Sequence, residues 1–438
     1  MAIAGMSGAY GQAAARPTGT PPMGWNPWNA FRTEVTEAKI LAVAQALKQT
    51  GLAEAGYRFI DVDDGWWLQR NAQHRLIVRT SMFPSAVMPD GTTSLRPFVD
   101  RLHSMGLLAG LYTDIGRNAC SQAWDPQSPN LPQGSVAERE IGSMDHQAQD
   151  MRLIFGAWNF DAIKVDACGL ADFGPDKPAV KNGTYRALGP YIVRGQVSAD
   201  QTAKVEALYA SLKREIDTVR PQHDTALAIC TWGEADVVRW GNRYGTSWRT
   251  SPDIEPTWKS MLANFDTAAA HPELAGPGHF NDPDMLELGN GEFDADHLDA
   301  ARAHLSLWAM LNAPLILGSD ITRWSPALVA VAGNREVIAL DQDPLARQAV
   351  VVERNGDGEV LLKSLQDGSR AVALVNRGDA PLHLSLPTSK LGLHGSLVTR
   401  DLWTHKEQPA GAAISADLLP RQTLLLRVRE ASGGKRQR

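Results

Sequence analysis

The chain has 438 residues, 43% hydrophobic and 21% charged, a balance that suits one large globular domain with a smaller companion. Its formal net charge of −6 offers no basic face for nucleic acid or anionic lipid. No run approaches the roughly 18 apolar residues of a membrane-crossing helix, so neither nucleic acid nor membrane is expected as a partner.

Residues 1–19 are small, Ala/Gly-rich and bounded by proline. They read as a flexible N-terminal segment or the remnant of a secretory signal, although a basic start and a long apolar stretch are missing. From Pro22 to Leu317, short apolar runs alternate with amphipathic ones, the pattern of a parallel α/β architecture. Strands are predicted at 23–25, 58–62, 107–112, 162–165, 226–230, 246–248, 279–282 and 315–317, the number that closes a (β/α)8 TIM barrel. Helices are predicted at 36–50, 95–105, 138–155, 204–218, 258–270 and 297–311 from their apolar periodicity. A doubly wound sheet is the competing arrangement, but the chain carries no glycine-rich phosphate loop. Two stretches, 122–133 and 170–201, are longer than barrel connections require. Both follow strand C-termini, where barrels build their sites.

After Asp343-Pro344 the texture changes. Strand-like runs at 350–353, 359–364, 371–376, 382–386, 396–402 and 423–428, several separated by turn dipeptides such as Asn355-Gly356 and Asp367-Gly368, indicate a C-terminal antiparallel β-sandwich. The expected division is a catalytic barrel over 20–344, the sandwich over 345–430 and a flexible basic tail over 431–438.

Acidic residues stand at or just past the predicted strand ends: Asp63, Asp64, Asp114, Asp166, Asp253, Asp282 and Asp284. Any one of them suits a helix cap or turn. In a barrel, however, all these ends converge on one face, and like charges packed together are costly unless they bind something. Asp166 closes the apolar run 162–165, and Asp253 follows 247–252. Two carboxylates on one rim are what glycosidic-bond cleavage needs, one to attack and one to handle the proton. Lys164 lies two residues before Asp166, on the same strand face, and Arg249 lies four before Asp253. Their cations would hold carboxylates ionised and donate to hydroxyls. Among thirteen tryptophans, Trp25, Trp66 and Trp67 stand at or near strand ends and are expected to face a ligand, since indole faces pack on sugar rings. No metal and no cofactor is expected: the calcium-loop pattern is absent and Lys164 would repel a cation. Of the three cysteines, Cys120 and Cys168 both follow predicted strand ends, a placement as compatible with two thiols as with one bridge.

The segments Met23-Gly24-Trp25-Asn26, Asp61-Val62-Asp63-Asp64-Gly65-Trp66, Gly110-Leu111-Tyr112-Thr113-Asp114, Ile163-Lys164-Val165-Asp166-Ala167-Cys168 and Asn281-Asp282-Pro283-Asp284-Met285 occur in this order. Together they resemble the retaining α-galactosidases and α-N-acetylgalactosaminidases of glycoside hydrolase family 27. The resemblance implies a TIM barrel with a C-terminal β-sandwich, Asp166 as nucleophile and Asp253 as general acid/base. It implies sugar contacts at Trp25, Asp63, Asp64, Tyr112, Lys164, Arg249 and Asp284, and a disulfide between Cys120 and Cys168. Thr231 and Glu234 fall where the 2-position of the sugar is recognised and depart from the usual residues there; a free 2-hydroxyl is favoured.

The implied mechanism is double displacement across a gap of about 5–5.5 Å, with Asp253 holding the proton and Asp166 kept ionised by Lys164. The expected activity is release of terminal α-galactosyl residues from a glycoside or oligosaccharide. β-L-Arabinopyranosidase, α-N-acetylgalactosaminidase and isomaltodextranase are alternatives on the same fold. A non-catalytic carbohydrate-binding protein is the alternative of a different class. A periplasmic or secreted location is expected, with the cytoplasm still open, and the expectation leaves room for a homodimer.

Overall fold

The computed structural model describes residues 19–189 and 191–431. Segments 1–18 and 432–438, which carry the expected N-terminal segment and most of the basic tail, lie outside the described residues.

Eight short strands form one parallel sheet: β1 (Met23–Trp25), β2 (Phe59–Val62), β3 (Leu108–Asp114), β4 (Ala162–Asp166), β5 (Ala226–Ile229), β6 (Ser247–Arg249), β7 (Phe280–Asp282) and β8 (Leu315–Leu317). Their order is β8-β1-β2-β3-β4-β5-β6-β7. The ring is completed just past β7, where Leu286 bridges in parallel to Leu317. Its N–H donates to the carbonyl of Ile316 at 2.7 Å. The runs were legible because a strand covered on both faces tends to be apolar, and most of these break off at a polar residue. The β3–β4 register sets Asp114 opposite Asp166, so both strands end at the same height.

Helices surround the sheet. Glu37–Gln49 buries Ile40, Val43, Ala44 and Leu47, and its first turn is capped by Thr36, whose Oγ1 accepts the Lys39 N–H. The helix expected over 138–155 is much shorter. It is Gln147–Met151, continued by a π-helical turn at Arg152–Ala157. Ahead of it the chain lies against the end of β3: the N–H groups of Gly142, Ser143 and Met144 donate to the carbonyls of Arg117, Asp114 and Gly116. Those donors are therefore unavailable to a helix ladder, and a Cβ on Gly142 would stand 2.2 Å from the Gly116 oxygen. A hairpin, Trp67–Arg70 with Leu76–Val78, follows β2 and was not anticipated.

Beyond the barrel, strands β9 (Val350–Asn355), β10 (Gly358–Ser364), β11 (Arg370–Asn376), β12 (Leu382–Pro387), β13 (Leu397–Asp401), β14 (Glu407–Pro409), β15 (Ala413–Leu418) and β16 (Thr423–Glu430) pair antiparallel. One sheet runs β9-β10-β11-β16-β13-β14, and β12 pairs with β15. One face of the larger sheet packs Val360, Val372, Leu374 and Val428 against Leu384, Leu386 and Ile414 of the small one. The other face contributes Leu361, Ala373, Val375 and Leu425 to the core of the barrel. Between the two bodies lies Leu298–Leu311, a helix buried along nearly its whole length. Lys363 of β10 donates to its Ala309 carbonyl at 2.7 Å. Among the described residues no helix is long and apolar enough to cross a membrane.

Candidate active site

A small cavity opens at the C-terminal ends of the strands. Its walls are Trp28, Asn29, Asp63, Asp64, Tyr112, Cys120, Lys164, Asp166, Arg249, Asp253, Asp284 and Met285. Each wall residue comes from a strand end or the first turns of the loop after it, as the barrel topology dictates. A deeper, more apolar cavity inside the ring shares Lys164, Arg249, Asp284 and Met285 but not Asp166 or Asp253.

Period-two alternation along β4 sends Lys164 and Asp166 to the same side. Lys164 Nζ donates to Asp63 Oδ2 at 3.0 Å and stands 5.5 Å from the Tyr112 ring centroid. Asp63 also accepts from Asn26 Nδ2 at 2.7 Å and from the Asp64 N–H at 2.8 Å. Asp64 is held by Ser121, whose N–H and hydroxyl each donate to it at 2.7 Å. Across the cavity Arg249 is 4% exposed and forks between two carboxylates, Asp253 Oδ1 at 3.0 Å and Asp284 Oδ2 at 2.9 Å. Its Nε–H has no partner among the described residues. Asp284 adopts φ 86, a left-handed conformation uncommon for a residue with a Cβ. The N–H groups of Ile254 and Met285 donate to its two oxygens at 2.8 Å each, fixing the side chain toward Arg249.

The charge distribution differs from the expected one. Burial pushes Asp166 up to about 7, against the pull of Lys164 and with the help of the Asp253 charge. Asp253, whose side chain is 67% exposed, is held below the usual carboxylate range by the guanidinium of Arg249, with Lys164 and Arg194. The two shifts run opposite to the protonation that the resemblance implies for the pair. Sequence reasoning assigned Lys164 to Asp166; its ammonium is instead hydrogen-bonded to Asp63, and Arg249 has taken Asp253. Asp64 is also pushed to about 7, chiefly by burial, and Lys164 is held well above its ordinary value: burial works against it, but Asp63 and Asp166 outweigh it.

Five expected contacts lie elsewhere. Trp25 is fully buried, its Nε1 donating to the Ser319 carbonyl at 2.8 Å, because it sits inside β1 rather than past its end. The indole that reaches the cavity is Trp28, three residues on, where the chain has left the strand. Trp66 and Trp67 are likewise fully buried. Thr231 and Glu234 do not wall the cavity: the Thr231 hydroxyl donates to the Glu234 carbonyl at 2.9 Å, and Glu234 Oε1 accepts the Gly195 N–H at 2.8 Å. Asn29 and Met285 were not expected as sugar contacts, although Met285 closes one quoted motif and Asn29 lies three residues past another. Asp114 serves as a brace, its Oδ1 accepting the N–H groups of Gly116 at 2.7 Å and Gly169 at 3.1 Å. Cys120 and Cys168 form a disulfide at the edge of the cavity, with Cα atoms 4.9 Å apart.

Comparison with known proteins places these motifs in a family. The model described as Alpha galactosidase A matches residues 20–187 and 235–343. The model of the alpha galactosidase C-terminal beta sandwich domain matches 355–428. The chain is similar to the alpha-galactosidase of Coffea arabica, 34% identical over 401 residues that span 91% of this chain and 90% of that one. It is 32% identical to the alpha-galactosidase of Oryza sativa subsp. japonica over 405 residues, 92% of this chain and 82% of that one. In fold it is similar to the alpha-galactosidase of Saccharomyces cerevisiae solved with raffinose, with a TM-score of 0.75 at 21% identity, covering 94% and 98% of the two chains.

Proposed function

The chain belongs to the alpha-galactosidase family, glycoside hydrolase family 27, and from that membership we propose a retaining exo-α-galactosidase acting on oligosaccharides. The observation that carries the reading is the convergence of Asp166 and Asp253 on one small cavity between Lys164 and Arg249. Asp166 attacks the anomeric carbon as Asp253 gives a proton to the departing oxygen. Water then cleaves the glycosyl–Asp166 ester with Asp253 as base, and the configuration is retained.

The chemistry needs one proton shared by the pair, located on Asp253. The shifts in the free protein favour Asp166 over Asp253 as its holder, so binding has to reverse that preference. A sugar hydroxyl that takes over an Arg249 donor frees Asp253 from its ion pair and raises its proton affinity, while displaced water strengthens the hold of Lys164 on the Asp166 charge. Asp63, Asp64, Lys164, the unused Arg249 Nε–H and Asp284 supply donors and acceptors for hydroxyls. The Trp28 ring supplies an apolar face. The disulfide supports a periplasmic or secreted location, since such bridges persist in oxidising compartments. The change from parallel to antiparallel pairing between Leu317 and Val350 supports a domain boundary near residue 345.

A panel of p-nitrophenyl glycosides tests the activity. The α-galactoside is expected to turn over fastest. A preference for the β-L-arabinopyranoside, the α-N-acetylgalactosaminide or the α-glucoside would replace the reading with the corresponding alternative.

A further inference from the structure

Residues 188–234 fall between the two stretches matched by the family model. The segment carries Arg194 onto the barrel mouth. There its guanidinium carbon lies 3.8 Å above the Trp232 ring and 5.6 Å from the Trp124 ring. A single carboxylate ties the group together: Asp172 Oδ2 accepts Arg194 Nη2 at 2.9 Å and Trp124 Nε1 at 3.2 Å. Asp172 is buried, and the loop is pinned again by the Gly195 N–H on Glu234. Trp124 nevertheless leaves 63% of its surface in solvent, more than any other large hydrophobic side chain among the described residues. An indole held by its N–H yet open on its face is not serving a core.

Its position gives it a use. Trp124 lies four residues, one helical turn, beyond Cys120, which walls the cavity, and Asp172 closes the short helix begun by the partner cysteine. The positive charge of Arg194 is among those that act on Asp253, the residue facing the leaving oxygen. The cluster therefore stands outside the galactose cavity, on the side from which the second sugar departs.

We propose that Trp124 and Arg194 form a leaving-group subsite in which the sugar ring next to the scissile bond stacks on the Trp124 indole and receives a hydroxyl contact from Arg194. The partner is a neutral hexose of an α-galactosyl oligosaccharide, recognised through its C–H face and hydroxyls. The inference rests on the galactosidase reading and deepens it.

The test compares melibiose with methyl α-D-galactopyranoside, which share the galactosyl group and differ in whether a second ring is present. In Trp124→Ala the ratio of kcat/KM for melibiose over the methyl glycoside falls about five- to tenfold, through KM, while methyl glycoside turnover is unchanged; Trp124→Phe keeps most of the ratio. An unchanged ratio in Trp124→Ala overturns the subsite, as does an equal loss on both substrates that Trp124→Phe does not restore. A wild-type protein that cleaves neither substrate overturns the galactosidase reading instead.

Discussion

At the scale of single residues, the site turns on which cation each carboxylate has claimed. Asp166→Asn keeps the shape of the side chain but removes the attacking charge. Its kcat is expected to fall by about four orders of magnitude or more, while sugar binding followed by calorimetry persists. Wild-type turnover in that variant would assign the nucleophile elsewhere. The pH dependence follows from the pair rather than from either member. Asp166 is pushed up to about 7 and Asp253 is held down, so the pair gives up its last proton at about 7. The reaction needs that proton, wherever it rests. kcat/KM is therefore expected to fall by about tenfold per pH unit on the alkaline side of 7, as measured on an unactivated galactoside. Carboxylate positions were legible in the sequence because strand ends announce them. Their protonation order was not, because it depends on the fork of Arg249 between Asp253 and Asp284, a contact made through space. The exchange of Trp25 for Trp28 has a local cause: one lies inside a strand and the other beyond it.

At the scale of elements, the loops after β3 and β4 are joined twice. A Cβ on Gly116 would lie 2.4 Å from the Gly169 carbonyl carbon, so these two backbones touch only because both residues are glycine. The disulfide between Cys120 and Cys168 then spans 48 positions of sequence beside the same contact. Closing a loop of that length restricts the unfolded chain by about 4 kcal/mol in the chain-entropy account. Cys168→Ser is expected to lower the unfolding free energy by roughly 2–4 kcal/mol in denaturant titration. It should also weaken kcat/KM, because Cys120 walls the cavity and its N–H donates to the Tyr112 hydroxyl. A variant with unchanged stability would show that the glycine contact alone holds the loops. Local pattern located all eight barrel strands, since burial on both faces writes itself into consecutive residues. It overran the helix before β4, where an apolar period continues through Gly142 although the backbone there is bonded to a loop some 25 residues earlier. It also missed β14 and β15: β14 is exposed throughout, and β15 begins beside a glycine-alanine stretch with little apolar signal.

At the scale of the whole molecule, the site and the joint between barrel and sandwich pull stability in opposite directions along the pH axis. Asp61, Asp64 and Asp166 each rise to about 7, burial being the first cause in every case, so between about 4 and 7 the folded chain binds protons that the unfolded chain has lost. Stability therefore increases as pH falls through that window. Carboxylates at the joint behave conversely. Glu336, on the barrel side, is held below 4.5 by hydrogen bonds from Arg400 first and then, against burial, from His405 of the sandwich. Glu292 is depressed by the Trp258 N–H and by Arg421. Their contribution is complete above 4.5 and disappears as pH falls through their lower folded values. The melting temperature is thus expected to rise from pH 8 to a maximum between about 4.5 and 6 and to drop on further acidification. Asp166→Asn should flatten only the alkaline limb, because it removes one of the raised groups. Glu336→Gln should flatten only the acid limb, by an amount kept small by its partial exposure. Calorimetric scans of both variants against pH would separate the two. If either variant moved both limbs together, the proton balance of the cavity would be coupled to the sandwich, which the intervening Leu298–Leu311 helix, packed against the sheet and bonded through Trp308 Nε1 to the Asp284 carbonyl, should prevent.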